Sequence, residues 1–225
     1  MSAAADANTR RPATVSAYGR AVTGQPDYLT LNALLALIDE PNGPRVRALL
    51  DDHRRGCAHA PGSSANHQAW PGGFWDHTRE VLNLAVVQYR TLSACRPLPF
   101  SLSDALLVLA VHDLEKLVRY RPDGSADPSL AAKADKAAFR LKLLDRYQVK
   151  LTGQQANALR YAEGVRDRDY RPGERTMGPL AAFVHTCDLL SARLWFAHPL
   201  AAGDPWAGAH RHLPGAGALG DPAAA

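Results

Sequence analysis

The sequence predicts an all-α fold. Apolar residues recur at three- and four-residue spacing through most of the chain, and nothing alternates with period two for long enough to demand a sheet. Clusters of Gly, Pro and Ser separate the periodic runs, as helix-to-helix connections require. At 225 residues the chain is long enough for one well-buried core, so a single helical domain is expected.

Residues 1–25 carry Ala, Thr, Ser and Arg without a sustained period and read as a flexible N-terminal arm. Tyr28 to Asp39 and Pro44 to Arg55 each place leucines and valines on one face, and Pro41-Asn42-Gly43 joins them; residues 28–56 form an N-terminal helical extension of a core spanning 26–198. After Pro71-Gly72-Gly73 a helix is expected from Phe74 to about Ser93. Ser101 or Ser103 caps the next, which continues through Tyr120 on a stripe of Leu106, Leu107, Leu109, Ala110, Leu114 and Leu117. Further helices follow at Ser129 to Tyr147, at Thr152 to Gly164 with Thr152 and Gln155 spaced as a capping box, and at Gly178 to Phe196. Residues 199–225 are Ala, Gly and Pro with isolated His and Trp, and are expected to be a loosely ordered tail.

Twenty-six Lys and Arg against 22 Asp and Glu give a net charge of +4. That suits a small anionic partner such as a nucleotide, and it is too small and too scattered to mark a nucleic-acid face. Cys57, Cys95 and Cys187 are an odd set without CxxC spacing, which points away from a disulfide framework or zinc knuckle and toward a reducing, cytoplasmic setting. The first residues lack the basic and apolar regions of a secretory signal, and no run approaches the roughly 20 apolar residues of a membrane helix.

The chemistry concentrates at four residues in apolar helical contexts: His77, the adjacent His112-Asp113, and Asp188. Alone, each reads as a core or helix-surface residue. Together they read differently, because histidines and aspartates buried without a metal or salt partners would each carry a desolvation penalty. Imidazole and carboxylate suit divalent transition ions. Neighbours on a helix differ in direction by about 100°, so His112 and Asp113 can share an ion only where the backbone comes close to it.

The segment His67-Gln68-Ala69-Trp70-Pro71-Gly72-Gly73-Phe74-Trp75-Asp76-His77-Thr78, the run Ala110 to Lys116 and the run Phe183 to Leu190 resemble the metal helices of the HD-domain metal-dependent phosphohydrolases. The resemblance covers roughly Asn66 to Phe196. It implies an HD-domain helical bundle in which His77, His112, Asp113 and Asp188 hold one divalent cation, Mn, Co, Ni, Fe, Zn or Mg. Two-metal relatives add histidines before the last Asp, and no His stands between 114 and 184, which favours a single ion. Glu163 sits where such a histidine would be; a helix-end carboxylate paired with Arg160 or Arg166 is its simpler reading. Lys116 matches the lysine of the His-Asp-x-Gly-Lys pattern, which in relatives touches the phosphate or the metal-bound oxygens. Glu115 replaces a glycine and is either a general base or a partner of Lys116 or Arg119.

On the substrate side, Lys116, Lys133 and Lys136 are the candidate phosphate contacts among the basic residues from 116 to 146, with Lys142 and Arg146 expected in solvent. Trp70 is a candidate base-stacking residue. His67 is a candidate for hydrogen bonding to phosphate or to attacking water, and equally a turn residue. His185, three residues before Asp188, is a candidate partner of that ligand or a ligand itself. The expected activity is hydrolysis of a nucleotide or similar phosphate ester, of the nucleotidase, triphosphohydrolase or phosphodiesterase type, with a non-catalytic nucleotide sensor as the alternative. The resemblance also implies self-association of undetermined number.

Overall fold

The computed structural model describes residues 26–120, 128 and 133–212, apart from the side chains of Cys57, Lys133 and Ala134. The expected arm at 1–25, Arg121, the first residues of the Ser129 helix and the tail end at 213–225 lie outside the described residues. Among the described residues the fold is all-α, without strands, and no helix is long and apolar enough to cross a membrane.

The helices are α1 (Leu31–Leu35), α2 (Asn42–Asp52), α3 (Arg54–His59), α4 (Gly73–Cys95), α5 (Leu102–Val111), α6 (Lys116–Arg119), α7 (Lys133–Arg146), α8 (Gly153–Arg160) and α9 (Pro179–Leu189). A π-helical turn, Leu190–Leu194, extends α9. The N-terminal caps follow the sequence. Ser101 accepts from the Asp104 N–H, and Thr152 accepts from the Gln155 N–H, each with the reciprocal bond of a capping box.

Five expected helices are shorter or broken; the one over Pro44 to Arg55 is interrupted at His53, and the one from Thr152 to Gly164 stops at Arg160. The first is confined to Leu31–Leu35, where Thr30 caps the Ala33 N–H, and beyond it the chain turns toward Pro41. The helix expected through Tyr120 stops at Val111, and residues 112–115 form a turn before α6. The last helix widens at Leu190 into the π turn instead of running regularly to Phe196. An apolar stripe continues through such breaks, so periodicity alone does not reveal them.

Helix α4 is the axis of the molecule. It packs against α1, α3, α5, α9 and the π turn, and every residue from Gly73 to Val86 is buried. That burial includes Asp76, His77, Arg79, Glu80 and Asn83, so this face must find polar partners inside the protein. Asn83 bonds the Leu29 N–H at 2.8 Å, tying the N-terminal segment down.

Asp76 and Arg79 organise the C-terminal segment in the same way. Asp76 accepts from the His212 N–H at 2.8 Å, and Arg79 donates to the His210 carbonyl. Trp206 Nε1 donates to the Pro26 carbonyl at 2.7 Å, and its ring meets Tyr28 and Trp195. The expectation of a loose tail from Pro199 is therefore corrected for residues 199–212. Composition misses this anchoring because the partners are buried polar groups on a helix far away in sequence.

Candidate metal centre

His77 lies one turn into α4, after a tight entry. Gly72 has φ +81°, and a Cβ at Gly73 would lie 1.9 Å from the Gln68 carbonyl oxygen, so the glycine pair is required by backbone approach. His112 ends α5, and the following residues form a tighter turn in which the Lys116 N–H bonds the Asp113 carbonyl at 2.9 Å. The helix break brings the neighbouring side chains of His112 and Asp113 to one point. Asp188 arrives from near the end of α9.

The four residues predicted as ligands are together. Asp113 Oδ2 lies 3.6 Å from His77 Nε2 and 3.3 Å from His112 Nε2. Asp188 Oδ1 lies 3.1 Å from His77 Nε2 and 3.6 Å from His112 Nε2. Donor atoms sharing an ion at about 2.1 Å lie about 3–3.5 Å from one another, which matches this spacing. Ligand atoms of His77, His112 and Asp113 fall within 4.8 Å of one another, and this buried group can hold a metal ion.

The hydrogen bonds aim both imidazoles. His112 Nδ1 is 2.7 Å from the Leu109 carbonyl, which only accepts, so the ring carries hydrogen at Nδ1 and presents Nε2 to Asp113 and Asp188. His77 Nδ1 is 3.1 Å from Ser191 Oγ. Both Nε2 atoms are buried, and neither makes a hydrogen bond of acceptable geometry. Buried polar atoms rarely go unpartnered, and two orphaned imidazole nitrogens facing two carboxylates form a donor set suited to a divalent ion.

The charges point the same way. Burial alone would lower the His112 pKa, but the carboxylates of Asp113 and Asp188 outweigh it and raise it to about 9. For His77 burial dominates and the pKa falls. Burial works to raise Asp113 and Asp188, yet the neighbouring imidazoles, together with Lys116 at Asp113, hold both carboxylates below their usual range. The carboxylates thus draw positive charge to the Nε2 atoms.

A cavity of about 310 Å³ opens over this cluster and is lined by residues including His67, Asp113, Glu115, Lys116, Arg119, Lys136, Glu163 and Asp188. Lys116 is buried and donates to Asp113 and to the Gly62 carbonyl. Burial would lower its pKa, but Asp113 raises it, so the ammonium stays charged. Lys136 is half-buried at the cavity wall, while Lys142 and Arg146 are exposed as expected. The side chain of Lys133 lies outside the described residues.

Several candidates sit differently from their sequence reading. Glu115 is ion-paired with Arg140 at 3.6 Å, where Lys116 or Arg119 was expected. Burial, then Asp113, raises its pKa. Trp70 lies outside the cavity: its Nε1 donates to Asp76 at 2.9 Å and Arg211 covers its ring at 3.7 Å. His185 donates from Nδ1 to the Ala162 carbonyl at 2.9 Å, bracing the segment before Gly164 and taking no place in the metal cluster. Glu163 faces the cavity, with a carboxylate oxygen within 4.8 Å of those of Asp113 and Glu115.

Sequence reasoning missed Gln68, Glu80, Ser191 and Arg140. Arg140 donates to the His112 carbonyl from α7 and is buried against Glu115. Glu80 Oε2 accepts from Ser191 Oγ at 2.6 Å and from Gln68 Nε2 at 2.9 Å. The available signal for Glu80 was its place one turn after His77 on a helix that reads as buried. Compared with known proteins, the chain matches no family model, no curated protein and no solved structure.

Proposed function

We propose that this chain is a metal-dependent phosphohydrolase of the HD-domain type, acting on a nucleotide or a similar small phosphate ester. The observation that carries the reading is the convergence of two orphaned imidazole Nε2 atoms with two carboxylates beneath a cavity bearing Lys116, Lys136 and Arg119. His77, His112, Asp113 and Asp188, in the order of the HD-domain pattern, hold one divalent cation. A cation held there would supply Lewis-acid chemistry, polarising a phosphoryl oxygen and lowering the pKa of a nearby water.

The chain's own groups supply the rest. Lys116, held by Asp113 and Gly62, keeps a buried positive charge beside the ligands, where it offsets charge developing on a phosphoryl group. Lys136 and Arg119 add donors for the other phosphate oxygens. His67 is kept neutral at physiological pH: burial, then His77 and Lys116, lower its pKa to about 4. Its Nδ1 is bound to Gln68, which leaves Nε2 to accept a hydrogen bond from water in the cavity. Glu115, ion-paired with Arg140 and lining the cavity, is the candidate general base for the attacking water.

The test is a phosphate-release screen over mono- and triphosphates, ribo and deoxy, with Mn, Co, Ni, Mg and Zn each added to metal-free protein. Turnover is expected with at least one ion and is expected to vanish in Asp113→Ala. Tight nucleotide binding without phosphate release across the panel would replace this reading with that of a sensor.

A further inference from the structure

We infer that Glu80 is a positioning residue that sets the tautomers of two imidazoles at once, His77 through Ser191 and His67 through Gln68. The consequence for metal binding rests on the metal-centre reading above, whereas the tautomer assignment stands on the hydrogen bonds themselves.

The direction of each bond follows from its neighbours. Gln68 Nε2 lies 2.9 Å from Glu80 Oε2, 2.9 Å from the His198 carbonyl and 3.2 Å from the Trp195 carbonyl. Three acceptors require the NH₂ end of the amide there, so Oε1 is the end facing His67. His67 Nδ1, 2.7 Å away, therefore carries the hydrogen and donates it. With Glu80 ionised, the same Oε2, already accepting from Gln68, lies 2.6 Å from Ser191 Oγ, so the single hydroxyl hydrogen of Ser191 goes to Glu80. Ser191 then has only lone pairs for His77 Nδ1 at 3.1 Å, and that nitrogen too carries hydrogen. The outcome at both rings is an unprotonated Nε2, at His77 facing Asp113 and Asp188.

The arrangement is built into the fold. Gln68, His77 and Ser191 are fully buried and Glu80 is 2% exposed, so water does not compete for these bonds. Ser191 reaches Glu80 because it stands in the π-helical turn after α9, a local widening of the kind found at functional sites. Gln68 is held with φ +38°, outside the usual range of a residue with a side chain. The two rings stand 4.5 Å apart between centroids. One carboxyl oxygen thus orients a ligand and its neighbour from behind.

The experiment reads the tautomers directly, by long-range ¹H–¹⁵N NMR of the metal-free protein at a pH above the value of about 8 to which burial raises Glu80, where its carboxylate is ionised, and reads affinity by calorimetry with Mn²⁺ and Co²⁺. In the parent, both His67 and His77 are expected to carry hydrogen at Nδ1. Ser191→Ala is expected to release His77 alone and weaken metal binding by about 10–100-fold. Glu80→Leu is expected to disturb both rings. Glu80→Gln, whose amide oxygen can take the place of Oε2, is expected to preserve both tautomers and keep affinity within a few-fold. If Glu80→Leu does not fold, Ser191→Ala and Glu80→Gln still decide. Hydrogen at His77 Nε2 in the parent, or an unchanged tautomer and affinity in Ser191→Ala, would overturn the inference. Failure of the parent to bind either metal would sink the metal centre, while the tautomers would still decide the role of Glu80.

Discussion

His112 donates from Nδ1 to the carbonyl oxygen of Leu109, 2.7 Å away, so the residue that ends α5 also fixes which of its nitrogens faces Asp188. Removing this ring takes away a candidate ligand and leaves the helix itself in place. His112→Ala is expected to weaken Mn²⁺ binding by more than about 100-fold, beyond the usual effect of residues that only orient ligands. Calorimetry checks it, with circular dichroism confirming unchanged helicity.

On the proposed phosphohydrolase reading, Lys116 is expected to separate turnover from metal binding. Its ammonium contacts Asp113 without being a ligand, so Lys116→Met is expected to lower kcat for phosphate release by about 10²–10³-fold. Metal affinity should stay within about tenfold, since the change is in a neighbouring charge worth about one pKa-scale interaction. Equal loss of both in paired kinetic and calorimetric measurements would make Lys116 a brace for Asp113 only.

Arg140 and Glu115 form a buried pair at 3.6 Å, and Arg140 also holds the His112 carbonyl. Arg140→Met strands a buried carboxylate and is expected to cost about 3–5 kcal/mol in urea unfolding. Adding Glu115→Leu should recover part of that loss, because the uncompensated group is then gone.

The Gly72-Gly73 pair tests the entry to α4. Gly72→Ala forces an L side chain into φ +81° and is expected to cost about 1–2 kcal/mol. Gly73→Ala places a Cβ against the Gln68 carbonyl and is expected to cost about 1–3 kcal/mol by overpacking, measured by thermal unfolding. Only the second displaces the Gln68 loop, so only the second should shift the His67 NMR signals.

Glu80 gives a pH dependence of fixed sign. Burial raises its pKa from 4.5 to about 8, so between these values the folded protein keeps a proton that the unfolded chain has released. Stability from this group is present below about pH 4.5 and is lost as pH rises through about 8. Glu80→Gln should flatten that part of the stability curve, measured by urea unfolding at intervals from pH 5 to 9.

The helices around the site were legible in the sequence because their determinants are local. Ser101 with Asp104, Thr152 with Gln155, and the Gly72-Gly73 entry all act within four residues of the turn they shape. The four candidate ligands were legible as residue types in apolar helical contexts, and the structure brings them together. The placements of Trp70, His185 and Glu115 were not, since each depends on a partner the sequence holds elsewhere: Arg211, the Ala162 carbonyl and Arg140.

By itself, then, the sequence determined an all-α chain and the identity of the residues able to bind a cation, because periodicity, capping and ligand chemistry are properties of short segments. Only the tertiary structure decided that α5 breaks at His112, that the tail segment closes on Asp76 and Arg79, and that Glu80 stands behind His67 and His77. Those outcomes follow from burying polar groups, each of which must find its partner wherever the packed chain supplies one.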